Sequence, residues 1–212
     1  CGDGYGKNIS LDGTTYKGMW RNNKQNGIGE EIYQDKSHYN GQFKDGKKSG
    51  YGKLIFNDQN IYEGNFENNE INGEGAYYWK DGRIYIGNWE ENKINGYGIF
   101  LWPDKKRYYG EYKNNIKEGF GIFHWTDGQR YEGFWKNGKQ HGYGVMINGD
   151  KCKYGQWNEG KIANQIKDNR TIELISMRVN KLGVSETSVT REGEKRIRIE
   201  IPGQFDTKSV LD

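Results

Sequence analysis

Rings and glycines alternate with polar residues in short runs along this chain. In Tyr62-Glu63-Gly64-Asn65-Phe66 the ring, glycine and ring fall on alternate positions, and the two between them are polar. Alternation with a period of two is the pattern of a β-strand with one buried face. The same triad recurs as Tyr16/Gly18/Trp20, Tyr39/Gly41/Phe43, Tyr85/Gly87/Trp89, Tyr108/Gly110/Tyr112 and Tyr131/Gly133/Trp135. These rings, with Tyr62, Phe66 and Trp157, are the expected structural core. Each glycine leaves a gap between two rings, and a ring from the neighbouring strand is expected to lie over it. At Tyr154-Gly155-Gln156-Trp157 the triad is one residue short, so the pattern is expected to fray there.

A second motif keeps step with the first. Paired glycines at Gly4/Gly6, Gly27/Gly29, Gly50/Gly52, Gly73/Gly75, Gly96/Gly98, Gly119/Gly121 and Gly142/Gly144 follow one another every 23 residues, as do Asp12, Asp35, Asp58, Asp81, Asp104, Asp127 and Asp150. A fixed period of this length predicts a stacked array of small supersecondary units. The steps Asp12-Gly13, Asp45-Gly46, Asp81-Gly82, Asp127-Gly128, Asn137-Gly138 and Asn148-Gly149 separate the ring-bearing runs and predict tight hairpin turns, because such turns need positive φ.

The pattern Tyr-x-Gly-x-Trp/Phe followed by Gly-x-Gly at this spacing resembles the MORN repeat, the membrane occupation and recognition nexus motif, and residues Asn137 to Gly144 read close to its hairpin consensus. The resemblance covers residues 1–163, six full units with a partial unit at each end. It implies an all-β fold, an elongated single-layer antiparallel meander of stacked hairpins. It also implies a non-catalytic scaffold: the sequence is similar to MORN subunits of ciliary radial-spoke heads and to protozoan cytoskeletal scaffolds. The implied partners are other proteins of a multi-subunit assembly, with a homodimer through the array ends, and the implied setting is cytoplasm, cytoskeleton or ciliary axoneme. Two alternatives belong to other classes. MORN segments of junctophilins and plant phosphatidylinositol-phosphate kinases resemble acidic-phospholipid tethers, and the MORN-containing lysine methyltransferases suggest a regulatory arm of a larger enzyme.

Composition narrows the reading. Ile, Leu, Val and Phe make up about 18% of the chain, below the roughly 20% at which a polymer is expected to stay unfolded. Aromatics at 15% and a net charge of only +3 offset this, since a large ring buries on the order of 150–250 Å². No run of about 18 apolar residues predicts a membrane span. The chain opens at Cys1 inside a repeat and reads as a fragment of something longer. Cys1 and Cys152 stand at opposite ends of the array, which fits a reducing cytosol.

The residues between the paired glycines are Tyr5, Ile28, Tyr51, Glu74, Tyr97, Phe120 and Tyr143. Strand parity points them away from the triad face, where they would form a second stripe with Met19, Tyr109 and Phe134. Tyr5, Tyr51, Tyr97, Phe120, Phe134 and Tyr143 are therefore the candidate partner-binding residues. The expected arrangement is nevertheless that glycine kinks turn these rings back into the common stack. Lys24, Lys47, Lys48, Lys93, Lys117 and Lys139 are candidates for an edge that meets acidic lipids. No catalytic, cofactor or metal site is expected: His38, His124 and His141 fall in separate units, and no carboxylate or cysteine cluster has ligand spacing. Nucleic acid is not an expected partner, because positive charge is nowhere concentrated.

From about Asn164 the period stops, and residues 164–212 read as an extension. Arg196 to Ile201 alternates strictly and predicts a strand, Thr171 to Val179 is a weaker strand candidate, and Gly183 to Glu194 reads as turn. A cap on the last hairpin is the expected role; a strand added to a partner's sheet or the start of another domain are the alternatives.

Overall fold

The computed structural model describes residues 3–168, 170–173, 188–192 and 196–200. Its strands are β1 (Gly4–Ile9), β2 (Thr15–Arg21), β3 (Lys24–Ile32), β4 (His38–Lys44), β5 (Lys47–Ile55), β6 (Ile61–Glu67), β7 (Glu70–Tyr78) and β8 (Ile84–Glu90), then β9 (Lys93–Leu101), β10 (Arg107–Lys113), β11 (Ile116–His124), β12 (Arg130–Lys136), β13 (Lys139–Asn148), β14 (Lys151–Asn158) and β15 (Lys161–Ile166). All fifteen pair with their chain neighbours in one antiparallel sheet, in unbroken sequential order. The fold is a single-layer meander, as the periodicity predicts. At about 4.8 Å per strand it is about 67 Å long.

Two kinds of turn alternate along it. The turn inside each repeat places two successive residues at positive φ, as at Asn68 (φ 51) and Asn69 (φ 74), Glu91 (φ 46) and Asn92 (φ 63), and Asn137 (φ 51) and Gly138 (φ 77). That geometry matches the right-handed twist of the strands it joins. Asn serves here beside glycine because its short polar side chain tolerates left-handed backbone. The side chain also stitches repeats together: Ile71 N–H donates to Asn92 Oδ1 at 2.8 Å and Asn92 N–H donates back to Ile71 O at 3.0 Å.

The Asp-centred turns are different. Ser37 N–H donates to Asp35 Oδ1 at 2.8 Å and Tyr33 N–H donates to Ser37 O at 3.0 Å, with a single positive-φ residue, Lys36, at the corner. The aspartate carboxylate thus holds a wider loop, and Asp12, Asp58, Asp81, Asp104 and Asp127 bond in the same way to the N–H two residues on. Asp12-Gly13, Asp81-Gly82 and Asp127-Gly128 are therefore corners of these loops and not two-residue hairpins. Asp150 departs from its series: the β13–β14 connection is the two residues Gly149 and Asp150. That shorter link explains the missing residue in the last triad. Gly155 still pairs with Gly144 and Trp157 still packs on Tyr131, so the array continues through β15 without fraying.

One face of the sheet is its core. The glycines pair across strands, Gly64 with Gly75 for example, and a Cβ at Gly75 would stand 2.3 Å from the hydroxyl of Tyr62. The ring that fills the gap comes from the same strand, two residues earlier, and lies across the glycine pair. Its hydroxyl donates to the Asn65 carbonyl at 2.9 Å. Tyr39, Tyr62, Tyr85, Tyr108 and Tyr131 are wholly buried in this way. Burial holds their phenols protonated well above the ordinary tyrosine range. Between them stand Phe43, Phe66, Trp89, Tyr112, Trp135 and Trp157, also buried, so that edge-to-face contacts run without a break from Trp20 and Tyr16 to Tyr131 and Trp157. Each contact contributes about 0.5–1.5 kcal/mol beyond area burial. Trp20, in the first full repeat, is half-buried.

Beyond β15, residues 170–173 are helical, where the start of the weaker strand was expected; the rest of that segment lies outside the described residues. A second antiparallel pair joins β16 (Ser188–Glu192) to β17 (Arg196–Glu200). The expected strand from Arg196 is present. Its partner β16 occupies residues whose composition predicts a turn, because their polar character hid a pairing in which Val189 stands opposite Ile199.

Candidate interaction face

The other face of the sheet is built from the same strands by parity. Register places Tyr5 opposite Met19, Ile28 opposite Gln42, Tyr51 opposite Asn65, Glu74 opposite Asn88, Tyr97 opposite Glu111, Phe120 opposite Phe134 and Tyr143 opposite Gln156. These residues form one line along the array, away from the ring core. The first glycine of each pair does take positive φ, as at Gly27, Gly50, Gly73, Gly96, Gly119 and Gly142. The kink stays within the bulge and leaves the following side chain on the outer face, so the expected return of these rings to the common stack does not occur.

Exposure divides the candidates. Tyr5 (67%), Tyr97 (51%), Tyr51, Phe134 and Tyr143 are exposed, together with Met19 and Ile28. Phe120 and Tyr109 lie on the same face but are buried by their neighbours, Phe120 against Phe134 at 5.8 Å and Tyr109 against His124 at 5.9 Å. They are not available to a partner of the free chain. Polar members of the line act locally. Gln42 Oε1 accepts from Tyr51 N–H at 3.1 Å, and Glu111 Oε1 accepts from Phe120 N–H at 3.2 Å and from the Tyr97 hydroxyl at 2.8 Å. They satisfy backbone donors that the bulges leave free.

A further line of rings has no counterpart among the sequence expectations. Phe56, Tyr77, Trp79, Phe100, Trp102, Phe123 and Trp125 form a tilted ladder along the Asp-turn side of the core face. Its signal is present in the period itself, since Tyr33, Phe56, Trp79, Trp102 and Trp125 are each 23 residues apart.

The six lysines do not form one edge. Lys24, Lys47, Lys93 and Lys139 begin strands beside hairpin turns and are exposed. Lys48 and Lys117 instead lie over core rings, Lys48 at 4.9 Å from Tyr33 and 3.8 Å from Glu31, and Lys117 at 4.5 Å from Trp135 and 4.7 Å from Phe123. Desolvation lowers the Lys117 amine to about 8. His38 pairs with Glu30 at 2.9 Å. Burial and the neighbouring Arg107 and Arg130 push His124 down to about 4. Among the described residues no three His, Cys, Asp or Glu side chains gather as a metal site, and two depressions of about 410 and 570 Å³ are shallow and open. No helix among them is long and apolar enough to cross a membrane.

Comparison with known proteins divides the chain. The family model for the first part of the SecDF P1 domain (protein translocase subunit SecDF, P1 domain, N-terminal) matches residues 168–212. The chain is similar to protein translocase subunit SecD of Acidaminococcus fermentans, 42% identical over 43 residues, which cover 20% of this chain and 10% of that protein. The SecD of Dictyoglomus turgidum is 39% identical over 57 residues, 27% of this chain and 14% of that protein. The chain thus spans only a small part of these relatives. Among solved structures it is similar to the TCP domain of Drosophila melanogaster SAS-4 in complex with a proline-rich motif of Ana2, at TM-score 0.43 and 11% identity, covering 73% of this chain and 79% of that one. The TCP10 domain of Danio rerio CPAP aligns at TM-score 0.25 and 10% identity, covering 77% and 100%. The MORN repeat model matches six times, at residues 16–38, 39–61, 62–82, 85–107, 108–130 and 131–153, in register with the ring triads. The chain belongs to the MORN-repeat family.

Proposed function

We propose that this array is a non-catalytic platform that binds partner proteins through the outer face of its sheet. The observation that carries the reading is the line of exposed Tyr5, Tyr51, Tyr97, Phe134 and Tyr143 on a face that the core does not use. Aromatic side chains on a rigid scaffold supply contact area at small entropic cost, and exposed apolar lines of this kind mark interaction surfaces. The platform belongs to a multi-subunit assembly. A cytoplasmic, cytoskeletal or ciliary setting rests on the family resemblance alone, and residues 168–212 are similar to a small part of a protein translocase subunit. In affinity capture with the full chain, Tyr5, Tyr51 and Tyr143 replaced together by Ser release the bound proteins at unchanged circular dichroism. Full retention of those proteins by the variant refutes the proposal.

A second reading has one observation in its favour. Arg21 pairs across its hairpin with Lys24, and Lys44 with Lys47, so four exposed cations meet at one edge of β2–β5. Acidic phospholipid is the ligand such an edge attracts, in a salt-dependent way. Further along, Glu67, Glu70 and Glu90 stand at the same edge and interrupt it. Binding to anionic vesicles that R21E/K24E leaves intact at low salt excludes this site.

A further inference from the structure

One register position on the core face is filled differently in successive repeats. The residue paired across the hairpin with the last ring of each triad is Gln25, Lys48, Ile71, Ile94, Lys117 and Gln140 in turn. Four of the six bring no charge: Ile71 and Ile94 are apolar and buried, and Gln25 and Gln140 carry neutral amides. Lys48 is charged, and Glu31 stands 3.8 Å from its amine. Lys117 is the exception. Among the described residues the lysines in ion pairs are Lys48, Lys53, Lys106 and Lys139. The Lys117 amine instead stands over three rings, Trp135 at 4.5 Å, Phe123 at 4.7 Å and Tyr108 at 5.3 Å. Of these only Tyr108 titrates, and burial keeps its phenol protonated well above the ordinary range. Enclosing an amine among rings with no anion beside it disfavours the charged form, and desolvation lowers this one to about 8. Lys117 is only half-buried, which leaves it open to a small reagent.

We propose that Lys117 is a site of covalent acylation by a small acyl thioester, and that the amide so formed takes its place beside the rings as the amides of Gln25 and Gln140 do in their repeats. The step balances within the two reactants. The neutral amine attacks the thioester carbonyl, the N–C bond forms, the C–S bond breaks, and the leaving thiolate takes up the proton that the nitrogen gives up. A lysine desolvated against apolar groups is an activated amine nucleophile. At about pH 7.5 an amine lowered to about 8 is about one quarter neutral, against about one part in a thousand at the ordinary value of about 10.4. Lower basicity costs nucleophilicity, roughly tenfold over this range on the scale known for thiols, so a net advantage on the order of tenfold remains. The product is uncharged, and the cost of holding an ammonium against Trp135 and Phe123 disappears with it. Lys117 lies on the core face, so the proposal is independent of the outer face as a protein-binding surface.

The test treats the full chain with the acetyl thioester of N-acetylcysteamine from about pH 7 to about pH 10 and follows acetylation at each lysine by mass spectrometry of proteolytic fragments. At about pH 7.5 Lys117 is expected to react about tenfold faster than the exposed Lys24, Lys47 and Lys93. Its rate levels off above about pH 8.5, while theirs rises on to about pH 10. Lys48 is the internal reference: Glu31 keeps its ammonium paired, and it reacts more slowly than Lys117. The chain acetylated at Lys117 melts at a higher temperature than the untreated chain, and Lys117→Gln, already neutral, shows no rise under the same treatment. A Lys117 that reacts no faster than the exposed lysines, or that still accelerates in step with them at about pH 10, overturns the proposal. So does acetylation at Lys117 that lowers the melting temperature, because the amide then has no place beside the rings.

Discussion

The tyrosine that lies across a glycine pair is the smallest unit that explains this chain. Tyr85 touches Gly87 and Gly98 so closely that a Cβ at Gly98 would stand 2.3 Å from its hydroxyl. Gly98→Ala therefore displaces a wholly buried ring, and denaturant unfolding is expected to show a loss of about 2–3 kcal/mol, an overpacking cost. Lys117 brings an ammonium into the ring core, against Trp135 and Phe123. The hydrophobic Ile71 and Ile94 hold the same register position in the two preceding repeats, and both are buried. At pH 7 the folded chain keeps an ammonium over rings that return only part of its hydration. Its amine is lowered to about 8 in the fold, against about 10.4 for a free lysine, so between those values the unfolded chain binds more protons and stability rises with pH. Lys117→Ile is expected to raise stability by about 2 kcal/mol at pH 7 and to flatten that rise. Above pH 10 the buried phenols act in the opposite sense, since the folded chain retains protons that the unfolded chain loses. Chemical denaturation from pH 7 to 11 resolves both limbs.

At the scale of the hairpin, the inner turn fixes both register and cohesion between repeats. Asn92 supplies a positive φ of 63°, and its side chain accepts from the preceding repeat. Asn92→Gly keeps the backbone and loses the side-chain bond, costing about 1 kcal/mol; Asn92→Ala also strains the turn and costs about twice that. Thermal denaturation of the pair ranks them. This element is only partly legible in the sequence. Strands and period can be read directly from Tyr62-x-Gly64-x-Phe66 and its sisters, because parity and glycine spacing are local. The Asn68-Asn69 turn is legible as a polar break between ring-bearing runs, but its paired positive φ is not, since Asn leaves a weaker signature than glycine. The outer face is legible by parity through Tyr97 and Tyr143. The burial of Phe120 is not, because it depends on Phe134 and Glu111 in adjacent strands.

Among the described residues, strands pair with their chain neighbours and core rings reach one repeat further, so stability is close to a sum over repeats and their interfaces. Trp89, buried in the middle and bonded from its indole N–H to the Gly75 carbonyl at 3.3 Å, is expected to cost about 3–5 kcal/mol when replaced by Ala. Hydrogen exchange should place the loss in β6–β9 and spare the ends; uniform loss along all fifteen strands would require a cooperativity that this architecture lacks. A single sheet also presents two different faces, the ring core on one side and the exposed Tyr5, Tyr51, Tyr97, Phe134 and Tyr143 on the other. The melting temperature of Tyr51→Ser/Tyr97→Ser beside that of Tyr62→Ser/Tyr85→Ser, taken at a concentration too low for association, tests that division directly. The outer pair is expected to melt within about 2 °C of the parent chain and the inner pair to lose its cooperative transition. A comparable loss in both contradicts that division.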